Sequence, residues 1–205
     1  RAQRLQTPPA RPDARPPAHY KPSRKSQLKT LKTPPPASDR DGDFAVRRAV
    51  YRATLTDDSL LSGELTMSVH RSGAATKTVG LEPLGLSVTA LTWDDAPAEW
   101  GTAPDGRLVV ECPSAQGTLT GQWTLRGERR ADGLLFDIEV ARAAGSRLAL
   151  TLPERFTVHC RNGIIDPPQK AETAGWTVWN IELGRATRCR WMLEVTPPAE
   201  HHQPL

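Results

Sequence analysis

The sequence predicts an all-β domain over residues 44–196, an antiparallel β-sandwich of roughly ten short strands, preceded by a disordered, proline-rich basic arm. Three observations predict this class. From Phe44 onward, apolar and polar residues alternate with the period of two that half-buried strands show. Turn signals recur about every 8–12 residues, as in sandwiches and barrels. No stretch sustains the 3.6-residue apolar period of an amphipathic helix.

The predicted arm comprises residues 1–43. It holds nine of the 19 prolines and a single aromatic residue, Tyr20, so it cannot bury enough apolar surface to offset the entropy of ordering. Ten basic and four acidic residues give it a charge of +6, whereas residues 44–205 hold 17 basic and 19 acidic residues, or −2. The near-neutral domain gives no reason to expect a nucleic-acid partner. Residues 197–205 are expected to form a disordered tail.

The alternation also assigns a face to each strand. In the first strand Ala49, Tyr51 and Ala53 share the inward face. The apolar phase reverses between Val88 and Leu91, which predicts a bulge or bend near Leu91. The other residues predicted to face inward are Leu55, Leu65, Met67, Val69, Leu108, Val110, Leu119, Trp123, Leu125, Leu134, Phe136, Ile138, Val140, Leu148, Leu150, Leu152, Phe156, Val158, Trp179, Ile181, Leu183, Trp191, Leu193 and Val195.

Three cysteines, Cys112, Cys160 and Cys189, fall on the apolar phase of predicted strands and match no zinc-site spacing. One interpretation is that each is a small buried hydrophobic residue. The other is one disulfide with a thiol left over, in an oxidising compartment. The sequence does not choose the pair.

The sequence contains no phosphate-binding glycine loop, EF-hand or nucleophile elbow, so we expect no cofactor, no metal site and no enzyme. Asp137 and Glu139 project from the same face of one strand, as a glycoside hydrolase could use, although neighbouring acids are also ordinary on a solvated sheet. The adjacent His201 and His202 could bind a metal weakly or simply belong to the tail.

Trp100 is the one candidate binding residue. It lies in the long polar connection of residues 94–106, where an exposed ring could stack on a sugar or enter a pocket of a partner. Trp93 or Trp176 could complete an aromatic platform with it. The alternative is that Trp100 folds back and caps one end of the sandwich.

Several strand segments resemble a known group of proteins. They are Tyr51 in the opening strand and residues 122–127, 148–153 and 179–184. Together they resemble the repeated β-domains of large, uncharacterised envelope or secreted proteins of planctomycete-type bacteria, over about residues 46–195. The resemblance implies an all-β module of a longer, extracytoplasmic protein (periplasmic, cell-surface or secreted). It implies other domains of that protein or envelope components as partners, and it transfers no catalytic residue.

We therefore expect a non-catalytic structural or interaction module of a larger extracytoplasmic protein. The alternative is a carbohydrate-binding domain that uses an exposed tryptophan, and less favoured is a glycoside hydrolase. The sequence begins with Arg and contains neither a signal-peptide pattern nor an apolar run of membrane-spanning length. We accordingly expect it to be a piece of a longer precursor.

Overall fold

The structure, a computed structural model, describes residues 44–72, 78–82 and 84–195, and every regular element among them is a β-strand. The predicted all-β class is confirmed. The described residues all belong to one compact unit. Within them no helix has the length and hydropathy that crossing a membrane requires. The predicted arm and tail lie outside the described residues.

The strands are more numerous than predicted because several have only two to four residues, too few to show an alternation. Two of these short strands lie inside the predicted connection 94–106. The sixteen strands found in the described residues are β1 (Phe44–Asp57), β2 (Leu60–Arg71), β3 (Thr78–Leu81), β4 (Ser87–Trp93), β5 (Ala96–Pro97), β6 (Trp100–Thr102), β7 (Leu108–Glu111), β8 (Gln116–Arg126), β9 (Glu128–Arg130), β10 (Gly133–Glu139), β11 (Ala143–Pro153), β12 (Phe156–Cys160), β13 (Ile164–Ile165), β14 (Gln169–Lys170), β15 (Trp176–Gly184) and β16 (Arg188–Val195).

These strands form three sheets. The large sheet has the order β13-β15-β11-β1-β2-β8-β4-β5, and β14 also pairs with β15. A four-stranded sheet has the order β12-β16-β10-β9, and a three-stranded sheet the order β3-β7-β6. The pair β1–β11 is parallel, whereas the sequence predicted only antiparallel pairs. Alternation is the same in both kinds of ladder, so a pattern of faces cannot reveal the direction of a neighbour.

The predicted irregularity near Leu91 is confirmed as a β-bulge. The register of β4 against β8 shifts between Val88, opposite Trp123, and Ala90, opposite Gln122. The extra residue reverses the alternation, so that Leu91 is 4% exposed while Val88 is only half-buried. Because of the bulge, apolar residues from both alternation phases of β4 pack against the core.

The core joins inward residues of all three sheets into one cluster. Its largest members include Trp123 and Trp191, each 1% exposed, and the Trp191 ring stacks on Phe136 with 5.3 Å between the ring centres. Three residues predicted to face inward differ. Val195 is exposed because β16 ends there, and Leu125 and Trp179 are half-buried against the core.

Candidate ligand-binding groove

The outer face of the four-stranded sheet presents a row of adjacent side chains. Leu135 of β10 lies opposite Met192 of β16, and Met192 lies opposite His159 of β12. The neighbours of Leu135 in β10, Leu134 and Phe136, are buried in the core. Because successive side chains point to opposite faces of a sheet, Leu135, Met192 and His159 share the outer face.

A groove of about 340 Å³ covers this row. Leu135 and Met192 are half-buried and give the groove apolar surface. Three arginines line it, from three different strands or strand ends. Arg161 directly follows β12, and its backbone N–H donates to the carbonyl of Arg190 at 3.3 Å. The lining residues are Arg130, Asp132, Leu135, His159, Cys160, Arg161, Arg190, Trp191 and Met192.

The groove carries an excess of positive charge. Arg130 donates to Glu128 across 2.6 Å in an exposed ion pair. Arg161 and Arg190 form no side-chain ion pair with any residue in the described part of the chain. The lining residues include three arginines against one acid, Asp132, so the groove has a net positive charge. Arg190 also lies opposite Asp137 in β10 and helps to lower the pKa of that carboxyl.

His159 is engaged at the edge of the groove. Its Nε2 atom lies 3.0 Å from a carboxylate oxygen of Glu194, and both side chains are about half exposed. This contact is an ion pair when the imidazole is protonated. An exposed pair of this kind contributes little to stability, but it orients the ring beside Met192.

The carboxylates considered for glycoside hydrolysis lie on the same outer face but do not form an acid–base pair. Both oxygens of Asp137 accept from Arg188, at 2.8 and 2.6 Å. The Arg188 guanidinium holds the pKa of the Asp137 carboxyl below its usual value of 3.8. A catalytic general acid needs the opposite shift. Asp137 is therefore an ion-pair partner, while Glu139 is exposed at the end of β10.

The structure contains three free thiols. Cys112 and Cys189 are buried, as predicted, and Cys160 is half-buried where it lines the groove. Burial raises the pKa of the Cys112 thiol to about 11, so this residue is protonated at neutral pH. The described ranges contain no group of three or more His, Cys, Asp or Glu residues arranged to hold a metal ion. The pair His201–His202 lies outside those ranges.

Trp100, the candidate binding residue of the sequence, is not part of the groove. It begins β6 in the three-stranded sheet, opposite Val110, and is 39% exposed. Trp93 cannot complete a platform with it, because Trp93 is 4% exposed and its Nε1 donates to Ser114 at 2.9 Å. Trp176 is half-buried at the start of β15. Sugar binding at Trp100 stays a prediction.

Sequence reasoning missed the groove because its arginines are far apart in the chain. Arg130, Arg161 and Arg190 are brought together only by the strand order β12-β16-β10-β9. A partial signal exists in β16, where Arg188 and Arg190 alternate with the buried Cys189 and Trp191 and so must point outward.

No protein-family model and no curated protein matches the sequence. Solved structures do share the fold. An M1 zinc metallopeptidase from Deinococcus radiodurans aligns over 73% of this chain and 42% of its own, with 15% identity and a TM-score of 0.51. Native yeast LTA4 hydrolase aligns over 76% of this chain and 30% of its own, with 13% identity and a TM-score of 0.50. The chain thus spans less than half the length of these structures.

Proposed function

We propose that this chain is a non-catalytic interaction module of a larger protein, and that its groove binds an acidic polypeptide segment of that protein. The observation that carries the proposal is the meeting of Arg130, Arg161 and Arg190 around an apolar surface on a domain whose total charge is close to neutral. An acidic segment is the occupant that complements this charge.

The chemistry of the groove favours carboxylates. A guanidinium group matches a carboxylate with two parallel N–H···O bonds, and such charge-assisted bonds are stronger than neutral ones. Leu135 and Met192 provide apolar surface for the methylene groups of Glu or for a neighbouring aliphatic side chain. Among the described residues that line the groove there is no exposed aromatic ring, so they do not provide the stacking on which single-stranded nucleic-acid binding relies.

The fold comparisons support a module rather than an independent protein. In both solved structures the shared fold is part of a longer chain, from a zinc metallopeptidase and from a hydrolase. We propose that the parent protein of this chain likewise has further domains, and that any catalytic chemistry belongs to them. The Asp137–Arg188 ion pair supports a non-catalytic role for this chain. Both oxygens of Asp137, which the sequence offered as a catalytic carboxylate, already accept hydrogen bonds from Arg188.

Fluorescence anisotropy of a labelled peptide of six glutamates with one central leucine, added to the full chain, tests the proposal. The variant Arg130→Gln/Arg161→Gln/Arg190→Gln should bind about tenfold more weakly. The three arginines are exposed, so each ion pair with the peptide contributes about 0.2–1 kcal/mol, and about 1.4 kcal/mol in total corresponds to a tenfold change in affinity.

A charge-matched control separates the groove from general attraction, including attraction to the basic residues 1–43. The variant Arg48→Gln/Arg52→Gln/Arg129→Gln also removes three exposed positive charges, but none of these residues lines the groove. It should retain affinity within about twofold. Equal losses in both triple variants, or no loss in the groove variant, would contradict the proposal.

Carbohydrate binding at Trp100 is the second candidate, favoured by the 39% exposure of this large ring. An exposed indole can stack on the apolar face of a sugar. Screening the full chain on a glycan array, with Trp100→Ala beside it, distinguishes the two candidates. Glycan binding lost in Trp100→Ala and kept in the groove variant would favour this second function.

A further inference from the structure

Two of the three cysteines lie next to each other although 29 residues separate them in the sequence. The sulfur of Cys160, the last residue of β12, is 3.6 Å from the sulfur of Cys189 in β16. Cys112 lies elsewhere, just after β7, where its sulfur contacts the carbonyl of Val110 at 3.8 Å. The structure thus distinguishes one pair from the other two combinations.

The strand register explains the proximity. Cys160 lies opposite Trp191, and Cys189 is two residues before Trp191 on the same strand. Both sulfurs therefore belong to the inward face and are diagonal neighbours across the β12–β16 ladder. A disulfide bond is about 2.05 Å long, so the sulfurs must approach by about 1.5 Å. β12 is an edge strand that pairs with β16 alone, and Cys160 is its last residue.

We propose that Cys160 and Cys189 form a disulfide site, oxidised by exchange with a low-molecular-weight disulfide. The Cys160 thiolate attacks one sulfur of the oxidant, forming a mixed disulfide and releasing one small thiolate. The Cys189 thiolate, after losing its proton to solvent, then attacks the Cys160 sulfur and releases the second. In sum, two protein thiols lose two protons and two electrons, and one small disulfide becomes two thiols.

The different exposure of the two thiols indicates which of them reacts first with the oxidant. Cys160 is half-buried at the end of the edge strand β12, so an external disulfide can approach it from that edge. Cys189 is 0% exposed. Burial first, and then the neighbouring Cys160, raise the pKa of the Cys189 thiol, which keeps it protonated at neutral pH. Cys160 is therefore the thiol that meets the oxidant, and Cys189 is the one that resolves the mixed disulfide.

The site also lies beside the groove, because Arg161 follows Cys160 directly and both line it. Closing the bond would draw the end of β12 toward β16. The disulfide itself does not rest on the identity of the groove's ligand. An oxidising compartment would supply the small disulfide.

Peptide mapping of the full chain tests the site. The protein is incubated with glutathione disulfide, remaining thiols are alkylated, and the chain is cleaved after glutamate. The three cysteines then fall on separate peptides, 112–128, 155–172 and 183–194. We expect a cross-link between 155–172 and 183–194 that a reductant removes, with Cys112 alkylated. A cross-link through Cys112, or glutathione held on Cys160 with no cross-link, would overturn the proposal.

Two variants sharpen the result. Cys189→Ser removes the resolving thiol, so glutathione should accumulate on Cys160 as a stable adduct. Cys112→Ser should leave the yield of the cross-link unchanged. If Cys189→Ser does not fold, the mapping of the unaltered chain and of Cys112→Ser still decides between the expected and the contrary result.

Discussion

The phenol of Tyr51 links the large sheet to the connection between β10 and β11, and its removal should measurably destabilise the domain. Its hydroxyl accepts from the backbone N–H of Ala141 at 3.0 Å, and both residues are at most 1% exposed. Burial is the main cause that raises the pKa of Tyr51, so the hydroxyl is neutral at any pH at which the domain would be studied. Tyr51→Phe keeps the ring and removes only the acceptor.

The expected cost follows from the N–H group that remains. A buried donor without a partner costs about 1–3 kcal/mol, because it has lost its hydrogen bond to water and has no acceptor in the protein. Taking about 2 kcal/mol, and about 2–4 °C per kcal/mol for a domain of this size, the melting temperature should fall by about 4–8 °C. Differential scanning calorimetry and urea unfolding, monitored by tryptophan fluorescence, would measure the change.

Thr66→Val is the matched control for this prediction. It also deletes a hydroxyl from a neighbouring strand of the same sheet, but the Thr66 side chain is half-exposed on the outer face. Its effect should remain within about 0.5 kcal/mol. If Tyr51→Phe changed stability no more than Thr66→Val does, the bond to Ala141 would not hold these elements together and the reasoning would be refuted.

Three further predictions concern a turn, an ion pair and an exposed ring. Gly133 has φ +151° and an added Cβ would lie 2.1 Å from the carbonyl oxygen of Leu193, so Gly133→Ala should cost about 3 kcal/mol by urea unfolding; a neutral result would contradict this. Arg188 lowers the pKa of Asp137 in the folded state. The pair therefore adds to the free energy of unfolding above pH 3.8, and this contribution is lost as the pH falls through the folded pKa. Between about pH 5 and about pH 2, the free energy of unfolding of Arg188→Gln should therefore fall less than that of the unaltered chain. If both fell equally with pH, the pair would not stabilise the fold. Trp100→Ala should shift the melting temperature less than Trp123→Ala, whose ring is 1% exposed.

The period-two alternation predicted the fold class and most of the core because burial acts on each strand locally. Tyr51, Phe136 and Trp191 face inward for the same reason that their neighbours face outward. The bulge near Leu91 was predictable too, since an inserted residue must reverse the phase. Val195 was predicted wrongly, because alternation does not indicate where the partner sheet ends.

The arrangement of the sheets could not be predicted in the same way. The parallel pair β1–β11 joins segments that are about a hundred residues apart in the sequence. The hydrogen bond between Tyr51 and Ala141 involves a backbone N–H group, which every residue type except proline has, so the sequence gives no sign of it. The groove could not be predicted either. Outward positions of Arg161 and Arg190 follow from alternation, but their meeting depends on which strands are neighbours.

A ¹⁵N–¹H correlation spectrum of the full chain, titrated with the acidic peptide, measures directly whether the groove binds it. The account predicts shifts at the amides of Leu135, Arg161 and Met192, which saturate with one dissociation constant and vanish in the Arg130→Gln/Arg161→Gln/Arg190→Gln variant. Shifts confined to residues 1–43, or centred on Trp100 and its neighbours in β6, would contradict it.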